Sequence, residues 1–220
     1  MLKKITLSVL VATMLFAAQN KFDSISLESI SKGQLLEIEN ANRPISNLIL
    51  AQAYEVGFPE KGIPKDNEKA IKLYKKVYDV NKDPIACSKL GMYYFAKEVK
   101  ENKDYNSEKY FKDGISKLDL KMNEYNGIML GIVFYSKKEF NKANEYLLKY
   151  ANIGNPTAEL YLAFSYNETK KEFLANKYLT RACTNPKSTK DILQYCNTNT
   201  SKEDLDSLLD IENESSCSAN

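Results

Sequence analysis

The sequence contains no histidine and no tryptophan in 220 residues. Without histidine, the commonest general base and the commonest metal ligand are missing, and no Ser-His or Cys-His nucleophile pair can form. Glycine and proline are scarce, at eight and six. That scarcity argues against a turn-rich sandwich or barrel, and the abundance of Lys, Glu, Leu, Ala and Asn argues for helix. Charge of one sign is lacking too. The 31 basic residues face 29 acidic ones, and the excess is Lys3 and Lys4, so no electrostatic case for nucleic acid remains. The four cysteines show no C-x-x-C spacing, and no histidine could complete a zinc set. No catalytic residues, metal site or cofactor are assigned.

With 43% hydrophobic residues, a chain of this length can bury a core. It has one long apolar run. Met1 to Lys4 carries two lysines, Ile5 to Ala18 is apolar apart from Thr6, Ser8 and Thr13, and a polar stretch begins at Gln19. This pattern predicts a signal peptide over 1–18, cut near Ala17 or Ala18. The run falls short of the roughly 20 apolar residues needed to cross a bilayer. Contact with the membrane is therefore expected only through this segment before cleavage, and the mature protein is expected to be periplasmic or secreted from a bacterium.

The rest of the chain carries an internal period. Leu50-Ala51 with Tyr54, Leu90-Gly91 with Tyr94, Leu130-Gly131 with Phe134, and Leu162-Ala163 with Tyr166 repeat a large-small-x-x-aromatic pattern at intervals of 40, 40 and 32 residues. A second signature follows each: Ala70, Leu73, Tyr74, Val77 and Tyr78; Ser107, Tyr110, Phe111, Gly114 and Ile115; Ala143, Tyr146, Leu147, Tyr150 and Ala151; Ala175, Tyr178, Leu179, Ala182 and Cys183. The spacing i, i+3, i+4, i+7, i+8 is one apolar stripe on a helix. Two helices cross closely only where one presents little side chain, which explains the Ala or Gly beside each large residue. Asp83-Pro84 and Asn155-Pro156 read as helix starts and Gly154 as a helix end. The expected fold is all-α, an α-solenoid of about four antiparallel helix pairs. Its parts are a capping helix within 24–43, the repeat array over 44–186, C-terminal capping helices over 187–211 and a mobile tail over 212–220. Ser26 to Ala41 forms the first cap. Asp191 to Cys196 and Lys202 to Ile211 form the last two. The lysine-rich stretches Lys97 to Lys103 and Lys137-Lys138 read as solvated turns.

Ala51, Tyr54, Gly57, Gly62-Ile63-Pro64, Asp66 and Lys69-Ala70 through Tyr74 resemble the Sel-one-like repeat, a relative of the tetratricopeptide repeat. The second repeat keeps the Sel-one-like length between its two small residues, the third and fourth have the shorter tetratricopeptide length, and the first carries an insertion. Such a resemblance implies a protein-interaction scaffold or adaptor that holds a protein or peptide partner, envelope or cell-wall components included. It also implies that the first helix of each pair lines a concave groove. The positions two before, two after and five after the large residue would face it. Beyond Leu48 these are Gln52, Glu55, Ser88, Met92, Phe95, Ile128, Ile132, Tyr135, Leu160, Phe164 and Asn167. Contiguous exposed apolar surface there would mark a binding face; the alternative is that the C-terminal helix folds over it and makes it core.

The chain also resembles the Helicobacter cysteine-rich proteins, a Sel-one-like branch that ties the end of one repeat's second helix to the start of the next repeat. Cys183 and Cys87 occupy such positions, but Tyr78 stands where Cys87 would need its mate. The pairing expected here is Cys183 with Cys196, closing a short loop worth on the order of 3 kcal/mol. Cys87 is left as a small buried hydrophobe or as a partner for Cys217. That branch also implies an alternative activity, penicillin binding or weak β-lactam hydrolysis. The Ser-x-x-Lys of Ser29-Ile30-Ser31-Lys32 is the one motif for it, with no Ser-Asp-Asn or Lys-Thr-Gly behind it. Mass spectrometry of the exported protein should find Ala18 or Gln19 at the N-terminus, and a mature chain that still begins at Met1 would remove the leader.

Overall fold

The computed structural model describes residues 30–115 and 120–199. The predicted leader, residues 24–29 of the first cap, the Lys202 to Ile211 helix, the tail and Cys217 lie outside the described residues. Among the described residues the fold is all-α: α1 (Lys32–Ala41), α2 (Pro44–Val56), α3 (Asn67–Asn81), α4 (Pro84–Glu101), α5 (Ser107–Ile115), α6 (Leu120–Ser136), α7 (Phe140–Ala151), α8 (Pro156–Glu168), α9 (Glu172–Thr184) and α10 (Lys190–Asn199). A 3₁₀ turn, Pro59–Lys61, lies between α2 and α3. The chain divides into two compact units, with the boundary between Asn126 and Gly127 inside α6.

In the unit ending at Asn126, helices α1 to α5 pack each on the next. Ser31 caps α1: its Oγ accepts from Gln34 N, and the Gln34 side chain accepts from Ser31 N. Ile30 and Ile38 lie partly buried against the core of this unit. The connection from α2 to α3 explains the glycine-rich motif. Gly57 has φ +89° and sits so near Lys65 that a Cβ would come within 2.8 Å of it. Phe58 and Ile63 pair in an isolated antiparallel bridge, Gly62 takes the left-handed conformation, and Ile63 is buried. Asp66 then caps α3 by accepting from Lys69 N at 2.8 Å. The buried residues of α3 are Ala70, Leu73, Tyr74, Val77 and Tyr78, the stripe that the periodicity predicts.

Asp83 starts α4 by accepting from Ile85 N and Ala86 N. This helix runs on to Glu101, so Lys97 and Lys100 belong to it rather than to the turn expected over Lys97 to Lys103. The added length is held by Glu98. Its buried carboxylate accepts from Tyr105 N, Ser107 N and Ser107 Oγ at 3.0, 2.8 and 2.6 Å and closes the start of α5.

In the unit beginning at Gly127, α7 packs on α8, α8 on α9, and α10 on both α8 and α9. The turn after α6 does include Lys137-Lys138. Lys138 N donates to Tyr135 O and Glu139 N to Phe134 O. After α8 the same two bonds recur 32 residues later, from Lys170 N to Asn167 O and from Lys171 N to Tyr166 O. Asn155 caps α8 with bonds from Thr157 N and Ala158 N.

The repeated small residue does what its size suggests. A Cβ on Gly91 would fall 2.7 Å from the Phe111 ring, and one on Gly131 would fall 2.6 Å from Leu147 Cγ. Ala51 and Ala163, the equivalents, are fully buried. The aromatic one turn later stacks on the second helix: Tyr94 on Tyr110 at 5.1 Å, Phe134 on Tyr146 at 5.5 Å and Tyr166 on Tyr178 at 5.7 Å. In the first repeat Leu73 stands at the second-helix position, and Tyr54 is covered by the Lys69 ammonium instead, 4.0 Å from the ring centroid.

Among the described residues Glu98 and Glu159 are the buried carboxylates, and Glu159 is the deeper. Glu159 in α8 is 1% exposed; it pairs with Arg181 of α9 at 2.8 Å and accepts from Asn185 Nδ2 at 3.0 Å. The same guanidinium donates to Ala151 O, and Asn185 Nδ2 donates to Gly154 O. Removing one partner of a buried pair strands the other charge, so Arg181→Ala should lower stability by about 3–5 kcal/mol. Arg181→Met combined with Glu159→Leu should recover most of that. Urea unfolding followed by circular dichroism measures both, and an unchanged midpoint for Arg181→Ala contradicts the buried pair.

Candidate functional site

In the unit ending at Asn126, the predicted groove positions fall on α2 and α4. Gln52 and Glu55 are half-buried, whereas Ser88, Met92 and Phe95 are buried, as is Leu48. Glu55 is engaged on both oxygens. Oε1 accepts from Lys89 Nζ at 2.8 Å and Oε2 from the Tyr74 hydroxyl at 2.7 Å. The Lys89 and Glu55 side chains are only 10% and 20% exposed, so the pair is partly desolvated and holds α2 to α4. Next to it, the Tyr125 hydroxyl of α6 points at Met92 Sδ.

In the unit beginning at Gly127, Ile128, Ile132 and Leu160 are buried, Tyr135 and Phe164 are half-buried, and Asn167 is exposed. Ser88, Met92, Phe95, Ile128, Ile132 and Leu160 therefore belong to the core instead of opening onto a groove. For Ile128, Ile132 and Leu160 the reason is visible in α6 and α8, which are apolar on nearly every side. A helix of that kind is buried all round rather than along one stripe.

Around the two half-buried rings lies an aromatic cluster. Tyr135 meets Tyr161 at 5.7 Å and Phe164 at 6.3 Å, Tyr161 meets Phe164 at 5.6 Å, and Phe140 closes on Tyr135 at 5.9 Å. Tyr195 of α10 stands edge-on to Phe164 at 5.3 Å. Cys183 and Cys196 are joined as a disulfide with Cα atoms 5.7 Å apart, the pairing expected from the sequence, and they tie α10 beside α9. The hydroxyl of Tyr161, a residue only 1% exposed, has no hydrogen-bond partner among the described residues. Such a group costs about 1–3 kcal/mol when left unmet.

Sequence reasoning missed Lys89 and Tyr161. Both stand immediately before the large residue of their repeat, where Ile49 and Met129 stand in the other two. A polar or aromatic residue at that position was the signal available. Cys87 is fully buried, its thiol directed at Lys82 O. Ser31 of the Ser-x-x-Lys motif is spent on capping α1, and Ser29 lies outside the described residues. Among the described residues there is no group of three Cys, Asp or Glu side chains placed to hold a metal ion, and no helix long and apolar enough to cross a membrane.

Comparison with protein-family models, with characterised proteins and with solved structures finds no match to this chain.

Burial pushes the Tyr110, Tyr135 and Tyr195 phenols up to about 12; it also raises Tyr125 and Tyr161. An unfolded tyrosine ionises near pH 10, so between about pH 10 and 12 the folded state holds more protons than the unfolded one. This contribution to stability is intact below pH 10 and is lost as the pH rises toward 12. In an alkaline titration, tyrosinate absorbance from these rings should rise together with the loss of helical dichroism. Complete ionisation near pH 10 with the helices intact contradicts their burial.

Proposed function

We propose that this chain is an exported repeat protein of the Sel-one-like and tetratricopeptide-like kind, and that it binds a protein or peptide partner through its first-helix faces. One observation carries the proposal. Tyr135 and Phe164 stay half-exposed beside the exposed Asn167, and they are not spent on the stacks that hold each helix pair together. Large rings with exposed edges next to polar groups are the usual anchors of an interface. Support for export comes from the Cys183–Cys196 disulfide, since such bonds persist in oxidising compartments. The resemblance of Gly57, Gly62-Ile63-Pro64 and Asp66 to the Sel-one-like motif supports the repeat family, with Gly57, Gly62, Ile63 and Asp66 each having a definite part in the α2–α3 connection.

A photo-crosslinking residue placed at Asn167, and separately at Lys76 on the exposed side of α3, tests the binding face in cells. A discrete crosslinked protein is expected from position 167 and not from 76, and Tyr135→Ser with Phe164→Ser should abolish it. Equal crosslinking from both positions, or none from 167, rejects the face.

A further inference from the structure

Helix α10 is short, and its attachment is narrow. It buries Ile192, Tyr195 and Cys196, while Leu193, Gln194, Asn197 and Thr198 face solvent. An isolated helix of this length is marginal in water, so what fixes α10 is its docking. Up to Ser188 the incoming chain is pinned: Asn185 Nδ2 reaches Gly154 O and Glu159, and Ser188 Oγ donates to Ala182 O. Beyond it the covalent hold is the bond from Cys196 back to Cys183, thirteen residues earlier in the chain. The two half-cystines are unlike. Cys196 is 3% exposed, whereas Cys183 is half-exposed at the end of α9. Next to Cys196, Tyr195 lies against Phe164 and so covers one side of the aromatic cluster.

We infer that the Cys183–Cys196 bond is a latch that keeps α10 seated on the aromatic face of α8, and that reducing it lets α10 leave and uncovers Phe164 and its neighbours. The reductant is a dithiol. Its thiolate attacks the sulfur of the more exposed residue, Cys183, and Cys196 departs as thiolate and is protonated. The second reductant thiol then displaces Cys183, so that the protein gains two thiols and the reductant becomes a disulfide. Cutting the tether removes the high effective concentration that holds Tyr195 at Phe164. The hairpin of α8 and α9 keeps its own contacts, among them the Tyr166–Tyr178 stack and the Glu159–Arg181 pair. Release of α10 does not depend on any binding partner, so it can hold or fail separately from the interaction reading.

Hydrogen exchange read by mass spectrometry on the full chain tests the latch by comparing the oxidised protein, the same protein reduced with dithiothreitol, and a Cys183→Ser/Cys196→Ser variant. The expected result is faster exchange over 190–199, by about tenfold or more, in both the reduced protein and the variant, while 156–168 stays protected and an apolar dye gains fluorescence. Unchanged protection over 190–199 overturns the inference, because packing alone would then hold α10. Joint loss of protection over 156–184 also overturns it, because the bond would then hold the whole hairpin. A Tyr195→Ala variant with the disulfide intact should keep most of the protection. If it releases α10 as fully as reduction does, the ring rather than the bond is the latch.

Discussion

Everything in this molecule depends on how closely two helices of a pair can approach. That distance is set by the residue in each first helix that carries little or no side chain. At Gly91 and Gly131 even a methyl group would overlap Phe111 or Leu147, and Ala51 and Ala163 fill the same place with nothing to spare. In the last three repeats the aromatic one turn later then lies stacked against its counterpart in the second helix, and in the first the Lys69 ammonium takes that place over Tyr54. The hairpin is thus fixed by a contact that excludes volume and a contact that fills it, and both recur with the sequence period.

Polar groups inherit their positions from this packing. Glu98 lies under the start of α5 because α4 continues past the point where the lysines suggest a turn. Glu159 lies against α9 because the α8–α9 pair is tight, and burial makes it dependent on Arg181 and Asn185. Glu55, Lys89 and Tyr74 form the corresponding polar join between α2, α3 and α4. None of these contributes much as surface charge; each matters because water is largely excluded from it.

The helix pairs were legible in the sequence because their apolar stripes follow the 3.6-residue period, as the buried set on α3 illustrates. The caps at Asp66, Asp83 and Asn155 were legible because capping is a local matter of one side chain and the backbone two or three residues on. The disulfide was legible from its short loop. The face of the candidate site was not. Positions such as Ile132 and Leu160 were assigned to a groove by resemblance, yet α6 and α8 are apolar on nearly all sides, so periodicity has no outward direction to report there. Nor could a single sequence reveal that Lys89 would be drawn partly out of water, since its partner Glu55 lies 34 residues away.

Six described residues other than glycine adopt positive φ, and all are asparagine or lysine: Asn42, Lys82, Asn102, Asn106, Lys138 and Lys170. For lysine this conformation costs about 1–2 kcal/mol. Lys82, Lys138 and Lys170 stand where α3, α6 and α8 end, among carbonyl groups that carry the negative pole of the helix. A glycine would avoid that backbone cost outright; at Lys82 the ammonium lies instead 3.3 Å from the Asp113 carboxylate. These helix ends therefore store local strain that the tight packing on either side must hold in place, so the turns depend on the interior for their shape.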